Sequence, residues 1–147
     1  MMDSGQGKIV LLVEDSPDHA FLIKRAMMSV YQDLEIVWVK DGKEALDFIM
    51  KQGRKPDLVL LDIKMPRMNG FELLKILKTN KETKYIPVVI LSTSANKKDV
   101  AKAYSLGTNC YLSKPVEVRD FRLKLKIIPS YWLYTNLLPR NQYNEVL

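Results

Sequence analysis

Asp62 ends an apolar run, Val59-Leu60-Leu61, that reads as a strand buried on both faces. A carboxylate in that place is either a turn or helix-cap residue, or chemistry. Company from elsewhere in the chain favours chemistry. A second run, Ile9-Val10-Leu11-Leu12-Val13, stops on Glu14-Asp15. If the two strands are parallel neighbours, three carboxylates converge on one rim, and like charges at that range resist full ionisation unless a cation compensates. A hard divalent ion such as Mg²⁺ takes oxygen ligands, keeps several waters and leaves room for a phosphate oxygen. The plainer reading of Asp15 is a cap on the helix opened by Ser16-Pro17.

Two further runs end on groups suited to a phosphate. Pro87-Val88-Val89-Ile90-Leu91 leads into Ser92-Thr93-Ser94, and Asn109-Cys110-Tyr111-Leu112-Ser113 leads into Lys114-Pro115. A hydroxyl can bond a phosphate oxygen, and an ammonium supplies a point charge. Each alone is ordinary loop vocabulary. Acid, acid, hydroxyl and lysine at four successive strand ends are a much stronger signal.

The elements that must position these groups alternate throughout. Strands are expected near 8–13, 35–39, 57–62, 86–92 and 109–113, with helices between them. Asp41 with Glu44, Asn69, and Asn96 with Asp99 mark helix starts. Ala20, Ile23, Met27 and Val30 step along the first helix at core spacing. Met27, Met28 and Met50 read as core filler. The pattern implies an α/β fold with a doubly wound five-stranded parallel sheet and helices on both faces. Ligands of such sheets sit at the carboxyl ends of the strands.

With these residues in place, the chain resembles a response-regulator receiver domain, from Lys8 to Pro115 and on toward Leu138. The resemblance implies a flavodoxin-like receiver fold in which Asp62 accepts a phosphoryl group. Glu14 and Asp15 are then the acidic pair, Ser92 the switch hydroxyl, Lys114 the conserved-type lysine and Tyr111 the aromatic switch residue. Ser92 is taken over Thr93 because Ser92 lies 30 residues and Lys114 52 residues after Asp62, the spacing that the resemblance implies. Mg²⁺ would be held by Asp15, Asp62 and the Lys64 carbonyl, with Glu14 acting mostly through water, and the Lys114-Pro115 bond would be cis. The partner implied is a sensor histidine kinase, and catalysis extends only to the chain's own phosphorylation and dephosphorylation. Lys40-Asp41-Gly42-Lys43-Glu44-Ala45-Leu46-Asp47-Phe48, Leu91-Ser92-Thr93-Ser94 and Tyr131-Trp132-Leu133 further resemble the stand-alone regulators paired with phytochrome-type kinases. Lys64 and Ser94, two residues beyond Asp62 and Ser92, flank the route of the hydrolytic water. Lys64 either slows loss of the phosphoryl group or points to solvent.

The 147 residues, 47% hydrophobic and 27% charged, suit one globular domain. Residues 1–7 read as a flexible start, 8–128 as the receiver and 129–147 as an aromatic extension. The start lacks signal-peptide character and no apolar stretch approaches about 18 residues, so a cytoplasmic protein without membrane contact is expected. Residues 1–60 hold 8 Lys/Arg against 10 Asp/Glu, and residues 61–147 hold 15 against 7. With no helix-turn-helix pattern or zinc spacing, that basic half suits solvent or an acidic protein partner better than nucleic acid. Cys110, the single cysteine, reads as a buried inert thiol. His19 reads as a solvated first-helix residue, because Mg²⁺ favours oxygen.

The segment Phe121-Arg122-Leu123-Lys124-Leu125-Lys126-Ile127 alternates like a strand, while Phe121, Leu125 and Ile128 also fit a helix face. The family resemblance implies a last helix, kinked or ended at Pro129. Apolar residues beyond it would pack back or, the favoured reading, form a homodimer surface with that helix. Rival functions are weaker. An aspartate-nucleophile phosphatase usually carries a second acid where Lys64 stands, and a flavin module lacks its phosphate loop where Glu14-Asp15 would repel phosphate. A phosphorylation-independent pseudo-receiver is the remaining alternative.

Overall fold

The computed structural model describes residues 7–65 and 68–139. Five apolar runs form strands, β1 (Ile9–Val13), β2 (Glu35–Val39), β3 (Leu58–Leu61), β4 (Val88–Ser92) and β5 (Cys110–Ser113). They pair in parallel in the order β2-β1-β3-β4-β5. The helices are α1 (Pro17–Met28), α2 (Gly42–Leu46, continued by one wider π turn over Asp47–Lys51), α3 (Gly70–Thr79), α4 (Lys97–Ser105) and α5 (Val118–Trp132).

Strand periodicity divides the core in two. Val10, Leu12, Leu58 and Leu60 face α1 and α5, packing on Ile23, Met27, Phe121 and Leu125. Leu11, Val13, Val59 and Leu61 face the opposite layer, which includes Ala45, Leu73, Leu74 and Ala103. The central strands β3 and β4 are buried at every residue, whereas the edge strands β2 and β5 are not. That is why the central strands carry no alternation in the sequence. The order reverses direction between β1 and β3, and such a switch point leaves a crevice at the carboxyl ends of those strands.

Helix starts follow their caps. Asn69 and Glu72 make a full capping box on α3, and Asn96 caps α4 through the Asp99 N–H. Asp41 caps α2, but Glu44 reaches the Lys40 N–H instead of that of Asp41.

Several expectations are corrected. α1 stops at Met28, so Val30 lies beyond the helix and is exposed. Met28 and Met50 are also exposed, leaving Met27 as the core methionine of the three. α5 does not end at Pro129 but runs on to Trp132. The ring removes one N–H late in the helix, while Ile128 and Pro129 itself are buried against the core. The alternation in 121–127 is overridden because Phe121, Leu125 and Ile128 all find the α1 side of the sheet. Beyond α5 the chain turns back: Leu133 is buried, and the Tyr134 ring stacks on Tyr31 at 5.3 Å while its hydroxyl bonds Asp33. No helix among the described residues is long and apolar enough to cross a membrane.

Candidate functional site

Backbone hydrogen bonds carry the acids to the rim. The Glu14 N–H continues the ladder to Val39, and the Asp62 N–H donates to the Val13 carbonyl at 3.0 Å. The Trp38 indole N–H pins the Glu14 carbonyl at 2.7 Å from the neighbouring strand. Ser16 caps α1 by accepting from the His19 N–H, and its own N–H donates to Glu14 Oε2. Gly70 lets α3 begin hard against the β3 exit, since a Cβ there would stand 2.6 Å from the Asp62 carbonyl oxygen.

Carboxylate oxygens of Glu14, Asp15 and Asp62 lie within 4.8 Å of one another. Glu14 is buried, Asp62 is half-buried and Asp15 is exposed. Burial pushes the Glu14 carboxyl above its ordinary range, opposed by its bond and charge attraction to Lys114. A cluster of three hard oxygen donors, one already destabilised as an anion, fits a divalent cation such as Mg²⁺.

Lys114 comes from the end of β5, where its N–H donates to the Ser92 carbonyl at 2.8 Å. Its ammonium lies 2.6 Å from Glu14 Oε1, 2.9 Å from His19 Nδ1 and 3.4 Å from Asp62 Oδ2. The sequence placed the lysine opposite Asp62 and missed its stronger bond to Glu14. The Lys114-Pro115 bond is trans among the described peptide bonds, not cis. The side chain is aimed instead by the Ser92 contact and the acceptors around Nζ. Lys64 is exposed, and its N–H donates to Asp62 Oδ1 at 3.2 Å.

Ser92 is wholly buried at the end of β4, while Thr93 is exposed. Its Oγ accepts from the Ser94 N–H. Ser94 Oγ donates to Asp99 Oδ2 at 2.6 Å, tying the loop to α4. The Tyr111 hydroxyl donates to the Ser94 carbonyl at 2.8 Å, and its ring packs on the α3 and α4 side of the core. The Tyr111 hydroxyl thus already reaches the loop that follows Ser92. Cys110 is half-buried and burial pushes its thiol up, away from the thiolate.

Three contributors escaped the sequence: Trp38, His19 and Asp99. Each acts across elements, and only the Asn96-to-Asp99 spacing gave a local sign of one of them. His19 lies on α1 as expected, with its side chain 41% exposed, and it also meets the Lys114 ammonium.

The match to the family of the response regulator receiver domain spans residues 10–126. The chain belongs to that family. It is 38% identical over 142 residues to the response regulator Rcp1 of a Synechocystis species, covering 93% of this chain and 97% of that one. Among solved structures it is similar to the phosphorylated cyanobacterial phytochrome response regulator RcpA, with a TM-score of 0.86 and 36% identity, covering 91% and 99% of the two chains. Rcp1 in its Mn²⁺-bound form gives 0.83 and 37%, covering 90% and 99%. Receiver domains serve two-component signalling.

Proposed function

We propose that this chain is a stand-alone response regulator that accepts a phosphoryl group on Asp62 from a sensor histidine kinase. The observation that carries this is the meeting of Asp62, Glu14 and Asp15 within 4.8 Å beside the Lys114 ammonium. Similarity to Rcp1 and RcpA favours a phytochrome-type kinase as the donor.

In the transfer, one Asp62 carboxylate oxygen forms a bond to phosphorus as the P–N bond of the donor phosphohistidine breaks. The electron pair leaves with the imidazole, which takes up a proton. Asp15, Asp62 and the Lys64 carbonyl would hold Mg²⁺, with Glu14 behind them. When bound, that ion supplies positive charge against the phosphoryl oxygens, the main catalytic need of this chemistry. Lys114 supplies the other cation from the protein side. The Ser92 hydroxyl donates to a phosphoryl oxygen, which draws its loop inward. The Ser94 contacts to Asp99 and Tyr111 pass that movement to α4 and β5.

The output is a binding surface rather than a turnover reaction. α5 exposes Leu123, Ile127 and Tyr131 in one stripe at helical spacing, opposite its core face. We assign that stripe to a homodimer contact. The tail contributes less than its composition suggested, because Leu133 and Tyr134 are spent on their own domain.

Labelling by acetyl phosphate and Mg²⁺ tests the assignment. Wild type takes up one acid-stable, base-labile phosphoryl group and Asp62→Asn takes up none. Undiminished uptake by Asp62→Asn would falsify it.

A further inference from the structure

His19 is unused by the reaction above, yet its Nδ1 lies 2.9 Å from the Lys114 ammonium. An ammonium has three N–H donors and no acceptor, so Nδ1 must accept and the ring proton must sit on Nε2. The imidazole reaches this position because Ser16 and Pro17 fix the start of α1, placing His19 in its first turn above the acidic rim.

The three acceptors around Nζ are unequal. Glu14 Oε1 at 2.6 Å and His19 Nδ1 at 2.9 Å are close, whereas Asp62 Oδ2 at 3.4 Å is at the edge of bonding distance. An ammonium held by one acceptor can swing about that bond. A second acceptor fixes the direction of the remaining N–H. Here the remaining N–H is the one that faces Asp62.

We infer that His19 is a positioning residue for Lys114, holding its ammonium with Glu14 so that the third N–H is aimed at the group carried by Asp62. On phosphorylation the long bond to Asp62 Oδ2 is replaced by one to a phosphoryl oxygen, and the two shorter bonds stay in place. His19 touches neither phosphorus nor the donor. This rests on Asp62 being the acceptor.

Two variants separate the roles. His19→Phe keeps a ring of similar size and removes the acceptor, whereas Asn at 19 returns an amide oxygen near the level of Nδ1. With acetyl phosphate and Mg²⁺, the Phe chain should lose about three- to ten-fold in the saturating labelling rate, the size of one net hydrogen bond. The donor concentration at half-saturation should not move. The Lys114 ammonium signal in ¹⁵N NMR, assigned by its loss in Lys114→Met, should broaden through solvent exchange in the Phe chain. His19→Asn should restore both rate and signal. A Phe chain labelled at the wild-type rate, or an Asn chain no better than the Phe chain, overturns the inference. If wild type takes up no label at all, the acceptor assignment fails instead, and the ammonium signal alone decides whether His19 holds Lys114.

Discussion

Lys114 and Glu14, a hundred residues apart in the chain, meet at 2.6 Å with side chains only 4% and 2% exposed. Two charges so far from water are tolerable only together, and removing one strands the other. Glu14→Ala should therefore cost about 3 kcal/mol in urea unfolding, toward the low end because Asp62 remains near the lysine. Lys114→Met should cost a similar amount. The double variant Glu14→Leu/Lys114→Met should cost clearly less than the two single losses added. Strict additivity would mean that the pair is not coupled in solution.

The acidic cluster predicts a metal-dependent stability. Mg²⁺ at about 100 times its dissociation constant should add about 2.7 kcal/mol to unfolding, seen as a rise in Tm over the same protein in EDTA. Asp15→Asn should remove most of that rise while leaving the EDTA melt near wild type, since Asp15 is exposed. The pH dependence has a definite sign. Because burial holds the Glu14 carboxyl above its ordinary value, it takes up a proton earlier as pH falls. Mg²⁺ affinity should be full well above that raised value and weaken as pH drops through it, at higher pH than an ordinary carboxylate cluster would show.

Tyr111 and Ser92 should separate signalling from chemistry. Tyr111→Phe loses the 2.8 Å bond to the Ser94 carbonyl but keeps the packed ring, at a cost of about 1 kcal/mol. Ser92→Ala removes the acceptor of the Ser94 N–H. Both variants should still take up label from acetyl phosphate. Both should show a smaller change in the amide spectra of α4 and β5 on phosphorylation. A full wild-type spectral change in both would break the proposed link through Ser94.

The strands and their terminal residues could be read from the sequence because each buried run is continuous and ends on a polar group that burial alone would not choose. The central strands β3 and β4 are apolar throughout for the same reason that they are covered on both faces. Val30 was misread because spacing says nothing of where a helix stops; α1 ends before it. Met28 and Met50 were misread because methionine suits surface and core alike. His19 and Trp38 act on partners brought close only by the fold, from the end of β5 and the end of β1. The bond from Lys114 to Glu14 was hidden because a lysine has several acids within reach, and sequence spacing does not rank them.

Lys78 offers a pH test away from the site. Its ammonium donates to the carbonyls of Lys84 and Ile86, yet burial lowers its pKa to about 8. A lysine depressed on folding binds fewer protons folded than unfolded between that value and the ordinary 10.5. Stability attributable to this residue therefore rises as pH climbs through that window. Partial solvent contact and the two carbonyls reduce the effect to about 1–2 kcal/mol. Urea unfolding of wild type and Lys78→Met at pH 7 and pH 10 should show wild type gaining on the variant by that amount. A difference independent of pH would place the Lys78 titration near its ordinary value.

The exposed stripe on α5 predicts association. Leu123 is 53% exposed, Ile127 65% and Tyr131 48%, while Phe121, Leu125 and Ile128 on the other face are buried. Apolar groups aligned at helical spacing and left in water gain by covering one another, and a two-fold contact would pair each stripe with its copy. Ile127→Asp places a charge at the centre of that contact without touching the core. The wild-type mass in solution should rise with protein concentration toward that of two chains. Ile127→Asp should stay at one chain over the same range, with an unchanged melt when both are dilute. A wild-type mass of one chain at every concentration would remove the dimer and leave the stripe to a different protein partner.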